Sequence, residues 1–314
     1  MSLLDWLMTP PPDVAVEIDR THVAAARVQW RGGRAVVAAH AVEPLPAGAV
    51  VPALVAPNMH DVGVVGQAVT RALSQLGGRT ARVALVVPDT VAKVSLLRLE
   101  KVPAKAADLR EIVRWQVRKS APFPVEQAVL SVSPGTPMAE GGREFIVALA
   151  REDVVRQYEQ AVAMAGAHAG IVDLATFGVL NSVVAGGATG DWLLVHVAGT
   201  CVTLAVIRDQ HVIFFRHRSE ESEGTLADLI HQTAMYYEDR LKGTGISRVW
   251  LAGMASMPDA DGVRRDLEAR LGASVERVDP RGAASLVDRI DSTPELDDAL
   301  APLVGVLRRQ GRAA

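Results

Sequence analysis

The side chains best suited to hold a metal ion or to act as a nucleophile are the histidines and the single cysteine. His211 and His217 lie with Arg216 and Arg218 on one predicted strand. Because neighbouring side chains of a strand point to opposite faces, this run does not converge on an ion and is interpreted as solvated charge. Cys201 lies in another predicted strand without a cationic neighbour in sequence, and is interpreted as a small buried residue. No metal site is therefore expected.

Familiar catalytic sequences are missing as well. The chain contains no Gly-x-Ser-x-Gly, His-Glu-x-x-His or P-loop sequence. His168, which lies between two alanines, is interpreted as a turn residue. No catalytic residue is predicted, so the chain is not expected to be an enzyme.

The composition argues against several other classes of protein. A net charge of −3 over 314 residues does not suit a nucleic-acid binder, which needs a basic face to neutralise phosphates. One cysteine permits neither an intrachain disulfide nor a cysteine zinc cluster. No apolar run approaches the ~20 residues that span a bilayer, and Met1 to Met8 lacks the basic residues of a signal peptide. The sequence therefore predicts a cytoplasmic chain with no direct membrane insertion.

The elements that must position any site occur as a repeated pattern. A unit of three strands joined by short turns occurs at residues 14–42 and again at 192–217. The predicted strands are Val14–Ile18, Val23–Trp30, Ala35–Val42, Trp192–Val197, Thr200–Arg208 and His211–His217. Helices and further strands follow each unit, a pattern typical of an α/β protein with two lobes. The pattern indicates the actin, sugar-kinase and Hsp70 superfamily, with an unrelated two-domain α/β protein as the alternative.

The same pattern suggests where the domains divide. Residues 1–12 are interpreted as an N-terminal tag that packs back onto the protein. Residues 13–186 are predicted to form the first lobe, with a subdomain inserted at about 88–150. Residues 187–314 are predicted to form the second lobe.

Several stretches of the chain resemble one family, the PilM proteins of type IV pilus assembly. The clearest is a helix end followed by Ala121-Pro122-Phe123-Pro124, which no general rule of folding demands. The other stretches are Ala41–Ala49, Ala84–Pro88, Val172–Phe177, Val249–Gly253 and Leu303–Arg308. The resemblance covers nearly the whole chain from Val14, and it implies a two-lobe actin-like (ribonuclease H-like) fold with duplicated β-meander sheets flanked by helices.

The resemblance also implies a role. PilM-like proteins are cytoplasmic scaffolds that hold the short N-terminal peptide of a single-span membrane protein, PilN, and so connect the inner-membrane complex to other pilus assembly proteins. An extended peptide held this way exchanges hydration for backbone hydrogen bonds and a few apolar pockets. The groove is expected to involve the inserted subdomain.

The first phosphate-binding turn of this family departs from its pattern here. The family reads Asp-Ile-Gly-Ser, whereas this chain has Glu17-Ile18-Asp19-Arg20. Glycine lets a phosphate approach the backbone amides, and Asp19 adds a like charge in its place. At about 4 Å and an effective dielectric of about 20 such a contact costs roughly 4 kcal/mol, about a thousandfold in affinity. Arg20 offsets part of this cost.

The remaining nucleotide elements are also altered. His196, Ala198 and Gly199 stand where the family has a second Asp-Ile-Gly, and a neutral imidazole is a poor ligand for magnesium. The acidic run 219–223 would repel a nucleotide. The adenosine loop has Gly253 and Met254 in place of two glycines. Tight ATP binding is therefore not expected, and no cofactor is predicted.

Other functions remain open at this stage. An ATP-binding switch or weak ATPase of the same superfamily would need Arg20 or Lys93 to replace the missing phosphate contacts. A cytoplasmic scaffold of a type II secretion system has a similar fold, although that family usually carries a membrane-spanning helix. A cell-division protein of the FtsA kind is a further relative.

Overall fold

The computed structural model describes residues 11–218, 225–255 and 257–310. Its largest sheet has six strands in the order β14-β3-β2-β1-β4-β8. These strands are β1 (Val14–Ile18), β2 (His22–Arg31), β3 (Arg34–Pro44), β4 (Arg82–Val87), β8 (His168–Leu174) and β14 (Ser285–Leu286). The first three form the predicted antiparallel meander, and β4 then runs parallel to β1.

The second sheet repeats this arrangement in the order β11-β10-β9-β12-β13. Its strands are β9 (Trp192–Ala198), β10 (Cys201–Arg208), β11 (His211–Arg218), β12 (Arg248–Ala252) and β13 (Ser274–Arg277). Strands β9 to β11 form the second antiparallel meander, and β12 runs parallel to β9. The predicted duplication of a β-meander is thus confirmed.

A third sheet belongs to the inserted subdomain. It has the order β5-β7-β6, with β5 (Ala92–Leu99), β6 (Ala128–Pro137) and β7 (Arg143–Arg151). One face of this sheet packs on Val113 and Val117 of a helix, which share a core with Phe145 and Leu149. Among the described residues, no helix of the subdomain covers the opposite face, and this face contacts the lobes.

Seven helices are described in the resolved ranges, numbered here in chain order. They are α1 (Val62–Gln75), α2 (Ala106–Val117), α3 (Glu152–Met164), α4 (Ala175–Ala185), α5 (Leu226–Leu241), α6 (Ala260–Leu271) and α7 (Pro294–Gln310). Helices α1 and α3 cover one face of the first sheet, and α7 covers the other. Helix α4 contacts the cores of both lobes, through Ala175 on one side and Val179 and Val183 on the other.

The structure contains elements that the sequence did not predict. Residues Val172–Phe177 form the end of β8 and the start of α4, and β8 pairs in parallel with β4. His168, interpreted as a turn residue, begins β8 opposite Arg82, so that interpretation was wrong. Helix α4 is buried between two lobes, with apolar side chains around most of its surface, and therefore lacks the one-sided periodicity that reveals a surface helix.

Residues 285–310 also lie elsewhere than the sequence division suggests. They were assigned to the second lobe, but β14 pairs with β3 and α7 packs on the first sheet through Leu303 and Val304. The cause is a long-range contact that has no local signature, because the chain returns to the first sheet only after completing the second.

No helix within the described ranges is long and apolar enough to cross a membrane. The segment Met1 to Met8, interpreted as a tag, lies outside the described residues.

Helices α4 and α7 touch backbone to backbone at a pair of glycines. A Cβ added at Gly305 would lie 1.7 Å from the carbonyl oxygen of Gly178, and one added at Gly178 would lie 2.4 Å from the carbonyl oxygen of Pro302. No side chain fits such gaps, so glycine is required at both positions. This crossing fixes α7 against the helix that separates the two sheets.

Replacing Gly305 with alanine should therefore destabilise the protein. Because the new methyl group meets backbone that cannot rotate away, we expect a loss of about 3 kcal/mol in the free energy of unfolding, measured by urea denaturation. Gly186→Ala is the matched control, since its added Cβ would come no closer than 3.3 Å to any neighbour and should change little. Equal stability of Gly305→Ala and the control would contradict the close crossing.

Candidate functional site

A cleft of about 780 Å³ opens between the two lobes where β1 and β9 each turn into the next strand. We call it the cleft. The turn residues Asp19, Arg20, Ala198 and Gly199 line one part of it, and the start of α7 lines another. It lies in the position predicted for the nucleotide elements.

Seven of the eight residues predicted for this site line the cleft, namely Glu17, Asp19, Arg20, His196, Ala198, Gly199 and Gly253. Met254 does not; its side chain is 1% exposed and belongs to the core of the second lobe. Gly253 has a packing reason to be glycine, because its φ is +73° and a Cβ there would lie 1.7 Å from the carbonyl oxygen of Val197. The acidic run 219–223 lies outside the described residues.

Asp89 is a buried carboxylate at the base of the cleft, and the sequence did not single it out. It sits in a single 3-10 turn, Asp89–Val91, between β4 and β5. The backbone N–H of Thr176 donates to one carboxylate oxygen at 3.1 Å, and the Thr176 hydroxyl donates to the other. The hydroxyl of Thr203, from β10 of the second lobe, donates to the same carboxylate at 2.7 Å. Asp89 therefore ties the first lobe to the second.

The two hydroxyls determine the tautomers of two histidines. Each threonine hydroxyl carries one proton and gives it to Asp89, so each must accept its second hydrogen bond. His196 Nδ1 lies 2.8 Å from the Thr176 hydroxyl, and His217 Nδ1 lies 2.9 Å from that of Thr203. Both rings consequently carry a proton on Nδ1 and donate it to the threonine hydroxyls.

This arrangement corrects two interpretations. His217 is not solvated charge, since its Nε2 also lies 3.1 Å from the hydroxyl of Thr90. Cys201 is half-buried beside the same group, with its sulfur 3.7 Å from that hydroxyl, and a hydrogen bond with His217 lowers its pKa. Because side chains alternate between the two faces of β11, His217 is separated from its sequence neighbours as expected. Its side chain is the one that points into the cleft.

The ionisation of Asp89 follows from its partners. Burial alone would raise its pKa, but the nearby imidazole of His196 and the hydrogen bonds from Thr176 and Thr203 lower it to about 2. The Nδ1 of His196 lies 3.7 Å from the carboxylate. The charged form of Asp89 is thus the one that the fold stabilises.

Glu17 experiences the opposite environment. Its side chain is 8% exposed and accepts no hydrogen bond from a described residue. Burial, followed by the nearby charges of Asp19 and Asp89, raises its pKa well above the usual value. The two ends of the cleft base therefore differ: Asp89 is held ionised, whereas Glu17 is driven toward its neutral form.

A third carboxylate, from α7, contacts the loop that follows β12. Asp298 of α7 accepts hydrogen bonds from the backbone amides of Gly253 at 2.8 Å and Ala255 at 2.7 Å. These amides belong to the loop predicted to face adenosine. They are already satisfied by the chain's own carboxylate.

These residues do not fit a magnesium nucleotide. Asp19 stands at the turn where a phosphate would approach, and His196 stands where a hard cation would need an acidic ligand. Arg20 does line the cleft. Lys93 lies outside the cleft, and its ammonium group donates a hydrogen bond to the carbonyl of Ser120 in the subdomain. Within the described ranges no group of three or more metal-ligating side chains converges.

A second cavity, of about 290 Å³, lies on the other side of the segment that carries Asp89. We call it the groove. Its floor is the free face of the subdomain sheet, and its wall is α4. The floor residues are Val129, Ser131 and Ser133 of β6 with Ile146, Ala148 and Ala150 of β7, and the wall residues are Phe177, Leu180, Asn181 and Val184.

The end of the groove is formed by the second lobe. The hairpin between β10 and β11 turns at Asp209 and Gln210, both with positive φ, and brings Ile207, Gln210 and His211 to the rim. Phe215 of β11 stacks on Phe177 of α4 at 5.3 Å between ring centres. The groove thus lies where the first lobe, the second lobe and the subdomain meet.

Most of the residues that build these two cavities could not be chosen from the sequence. Asp89 had one usable signal: it follows a wholly buried strand, and side chains at the carboxyl end of a parallel strand gather at a ligand-binding edge. Thr176 and Thr203 had none, because neutral threonines are common in α/β proteins. They meet Asp89 across 87 and 114 positions of sequence.

Removing the Asp89 side chain should destabilise the folded chain. Asp89→Ala leaves two hydroxyls and one backbone N–H without their acceptor, so we expect a loss of about 3 kcal/mol in the free energy of unfolding at pH 7. Asp89→Asn should cost about 2 kcal/mol, the value that corresponds to lowering the pKa from 3.8 to about 2. Urea denaturation would measure both.

The pH dependence separates charge from packing in that experiment. Because the folded pKa of Asp89 is depressed, its stabilisation is present above the unfolded value and disappears as the pH falls through the folded value. The difference between wild type and Asp89→Asn should therefore shrink between about pH 4 and pH 2. Asp108→Ala, at an exposed position on α2, is the control. A difference that stays constant over that pH range would contradict the ionised Asp89.

The fold has counterparts among known proteins. A solved structure described as a PilM-PilN type IV pilus biogenesis complex is 19% identical and matches 96% of this chain and 99% of its own chain with a TM-score of 0.81. A Bacteroides thetaiotaomicron protein of unknown function with an actin-like ATPase fold is 7% identical, with 88% and 94% coverage and a TM-score of 0.51. The ethanolamine utilization protein EutJ from Carboxydothermus hydrogenoformans is 12% identical, with 96% and 90% coverage and a TM-score of 0.50.

These likenesses show that the two-lobe architecture with duplicated meander sheets is the actin-like fold. The family model for the type IV pilus assembly protein PilM matches residues 15–238, well over half of the chain. The chain therefore belongs to the PilM family of type IV pilus assembly proteins.

Proposed function

We propose that this protein is a cytoplasmic scaffold that binds the N-terminal peptide of a PilN-like inner-membrane protein in the groove, and that it does so without tight ATP binding. The observation that carries the proposal is the groove itself, an open cavity of about 290 Å³ against the free face of the subdomain sheet. The complex named in the structural likeness pairs a PilM with a PilN. Other pilus assembly proteins would contact the remaining surface.

The chemistry of the groove suits a short extended peptide. Alternate residues of β6 and β7 face it, and those of the floor are mostly small, including Ser131, Ser133, Ala148 and Ala150. Small side chains leave room for the side chains of an incoming segment. Strand β6 is also at the edge of its sheet, so its outer backbone groups are available to pair with an added strand.

The charge of the groove also favours a mainly apolar peptide. Asp173 is the one acidic side chain among its lining residues, and no lysine or arginine lines it. A segment that is mainly apolar can therefore enter without leaving a charge unpaired. Aromatic and aliphatic groups of α4, with Phe177 at the centre, supply the apolar contact.

The proposed lack of tight nucleotide binding is supported by hydrogen bonds that the chain already makes within the cleft. Asp298 already holds the amides of the loop after β12, and Asp89 already holds the hydroxyls of Thr176 and Thr203. An entering nucleotide would have to displace these contacts and overcome the charge of Asp19. The actin-like fold would then serve here as a rigid support for the groove.

Blocking the groove should abolish peptide binding and leave the fold intact. We expect Ala148→Phe, which projects a ring from the groove floor, to weaken binding of the synthetic N-terminal peptide of a PilN-like protein by at least about thirtyfold. Ser131→Phe, at a more exposed place on the floor, should have the same effect without risk to the core. Isothermal titration calorimetry would measure both affinities.

The matched control is Ala107→Phe, the same substitution at an exposed position of α2 in the same subdomain. It should bind the peptide as the wild type does. If both groove variants remain folded by circular dichroism and still bind with wild-type affinity, the peptide does not lie in the groove. If the wild type binds no such peptide at all, the scaffold function itself is wrong.

A further inference from the structure

The cleft carries an excess of negative charge. Five carboxyl side chains line it among the described residues, those of Glu17, Asp19, Asp89, Glu295 and Asp298, against the guanidinium of Arg20 and the imidazoles of His196 and His217. Burial raises the pKa of Glu17, so this carboxyl carries its full charge only beside a cation. Burial lowers the pKa of His22 and of His40, which also line the cleft, so neither adds a positive charge near pH 7. A field of this sign opposes an anion and favours a cation.

Glu17 is a buried polar group that lacks a partner. Its side chain is 8% exposed, lines the cleft and forms no hydrogen bond with any described residue. Buried carboxyl groups in folded proteins are normally hydrogen-bonded, because an unsatisfied one is costly. Asp19, one residue beyond the end of β1, lines the same cleft as Glu17, and its charge acts on the Glu17 carboxyl. A positive group placed between them would relieve both the lost hydration of Glu17 and its repulsion by Asp19.

The lining of the cleft also includes apolar side chains. Val42, Leu296, Ala299 and Pro302 lie in it beside the carboxyl groups, of which Glu17 and Asp89 are buried. A ligand with a methylene stem and a charged end matches this combination, because the stem packs on apolar side chains while the head reaches the acceptors. A phosphate ester matches neither part.

We propose that the cleft binds a cationic head group on an alkyl stem, a guanidinium or an ammonium, with Glu17 and Asp19 as its acceptors. The site is distinct from the groove and adds a second binding activity to the proposed scaffold function. The same chemistry is offered by a free polyamine and by an arginine or lysine side chain of a partner protein.

Two probes distinguish these sources in titration calorimetry with the full chain at low ionic strength. The first is spermidine. The second is the blocked pentapeptide acetyl-Gly-Gly-Arg-Gly-Gly-amide, compared with the same peptide carrying neutral citrulline, which has nearly the shape of arginine. We expect at least one cationic probe to bind with millimolar affinity or better, and the citrulline peptide to bind at least about tenfold more weakly than the arginine peptide if the latter binds.

Glu17→Gln tests the site itself. It keeps the shape of the side chain and removes the carboxylate that a bound cation would hold in its ionised form, and we expect it to weaken binding of the cationic probe about tenfold or more. Glu111→Gln, at an exposed position of α2, should leave affinity within about twofold. Because Glu17→Gln removes a carboxyl that is costly to bury, its stability without ligand should equal or exceed that of the wild type.

The outcomes decide the proposal. Binding of spermidine alone supports a free polyamine, and binding of the arginine peptide supports a partner side chain. No binding of either at 1 mM, or equal loss in Glu17→Gln and Glu111→Gln, would overturn it. The peptide affinity of the groove, measured on the same variants, should be unchanged, so failure here leaves the scaffold function untouched.

Discussion

The whole structure depends on one buried carboxylate. Asp89 lies between the first sheet and the inserted subdomain, and it accepts hydrogen bonds from α4 and from the second lobe. Its charge is stabilised by the two hydroxyls and by the imidazole of His196. A buried charge that accepts hydrogen bonds from both lobes holds the two lobes in a fixed relative position, because moving either lobe would leave that charge unpaired. Hydrogen bonds to the Asp89 side chain thus join the two lobes of this protein.

That same connection separates two cavities with opposite chemistry. In the segment from Val87 to Ala92, the central residues Pro88, Asp89 and Thr90 face the cleft, while Val87, Val91 and Ala92 face the groove. The start of α4 is shared in the same way, with Ala175 toward the cleft and Phe177 toward the groove. The floor of the groove has mostly small side chains, and one acidic side chain lines the groove, whereas the cleft is acidic. A partner peptide and a charged ligand therefore have separate places on one rigid frame.

The sequence predicted those parts of the fold that have local signatures. Both meanders were placed because three short strands follow one another with short turns between them, such as the turn at Gly32 and Gly33, which take positive φ. Helix α4 was missed because burial on several sides removes the periodicity that marks a surface helix. The predicted turn residues do line the cleft, since each follows a strand that could be recognised. Thr203 and Asp298 could not be predicted, because hydrogen bonds that span tens to over a hundred positions leave no pattern in the sequence. Asp89 had one signal, its place after a buried strand, which the sequence analysis did not use.

The most direct test of this account is a calorimetric titration of Mg-ATP into the full chain. If the carboxylates of the cleft exclude the phosphates of a nucleotide, no heat of binding and no thermal stabilisation should appear at millimolar ATP. A dissociation constant below about 10 μM would raise the melting temperature at that concentration by mass action. That result would contradict the account and would mean that Asp19, Arg20 and His196 form a rebuilt nucleotide site.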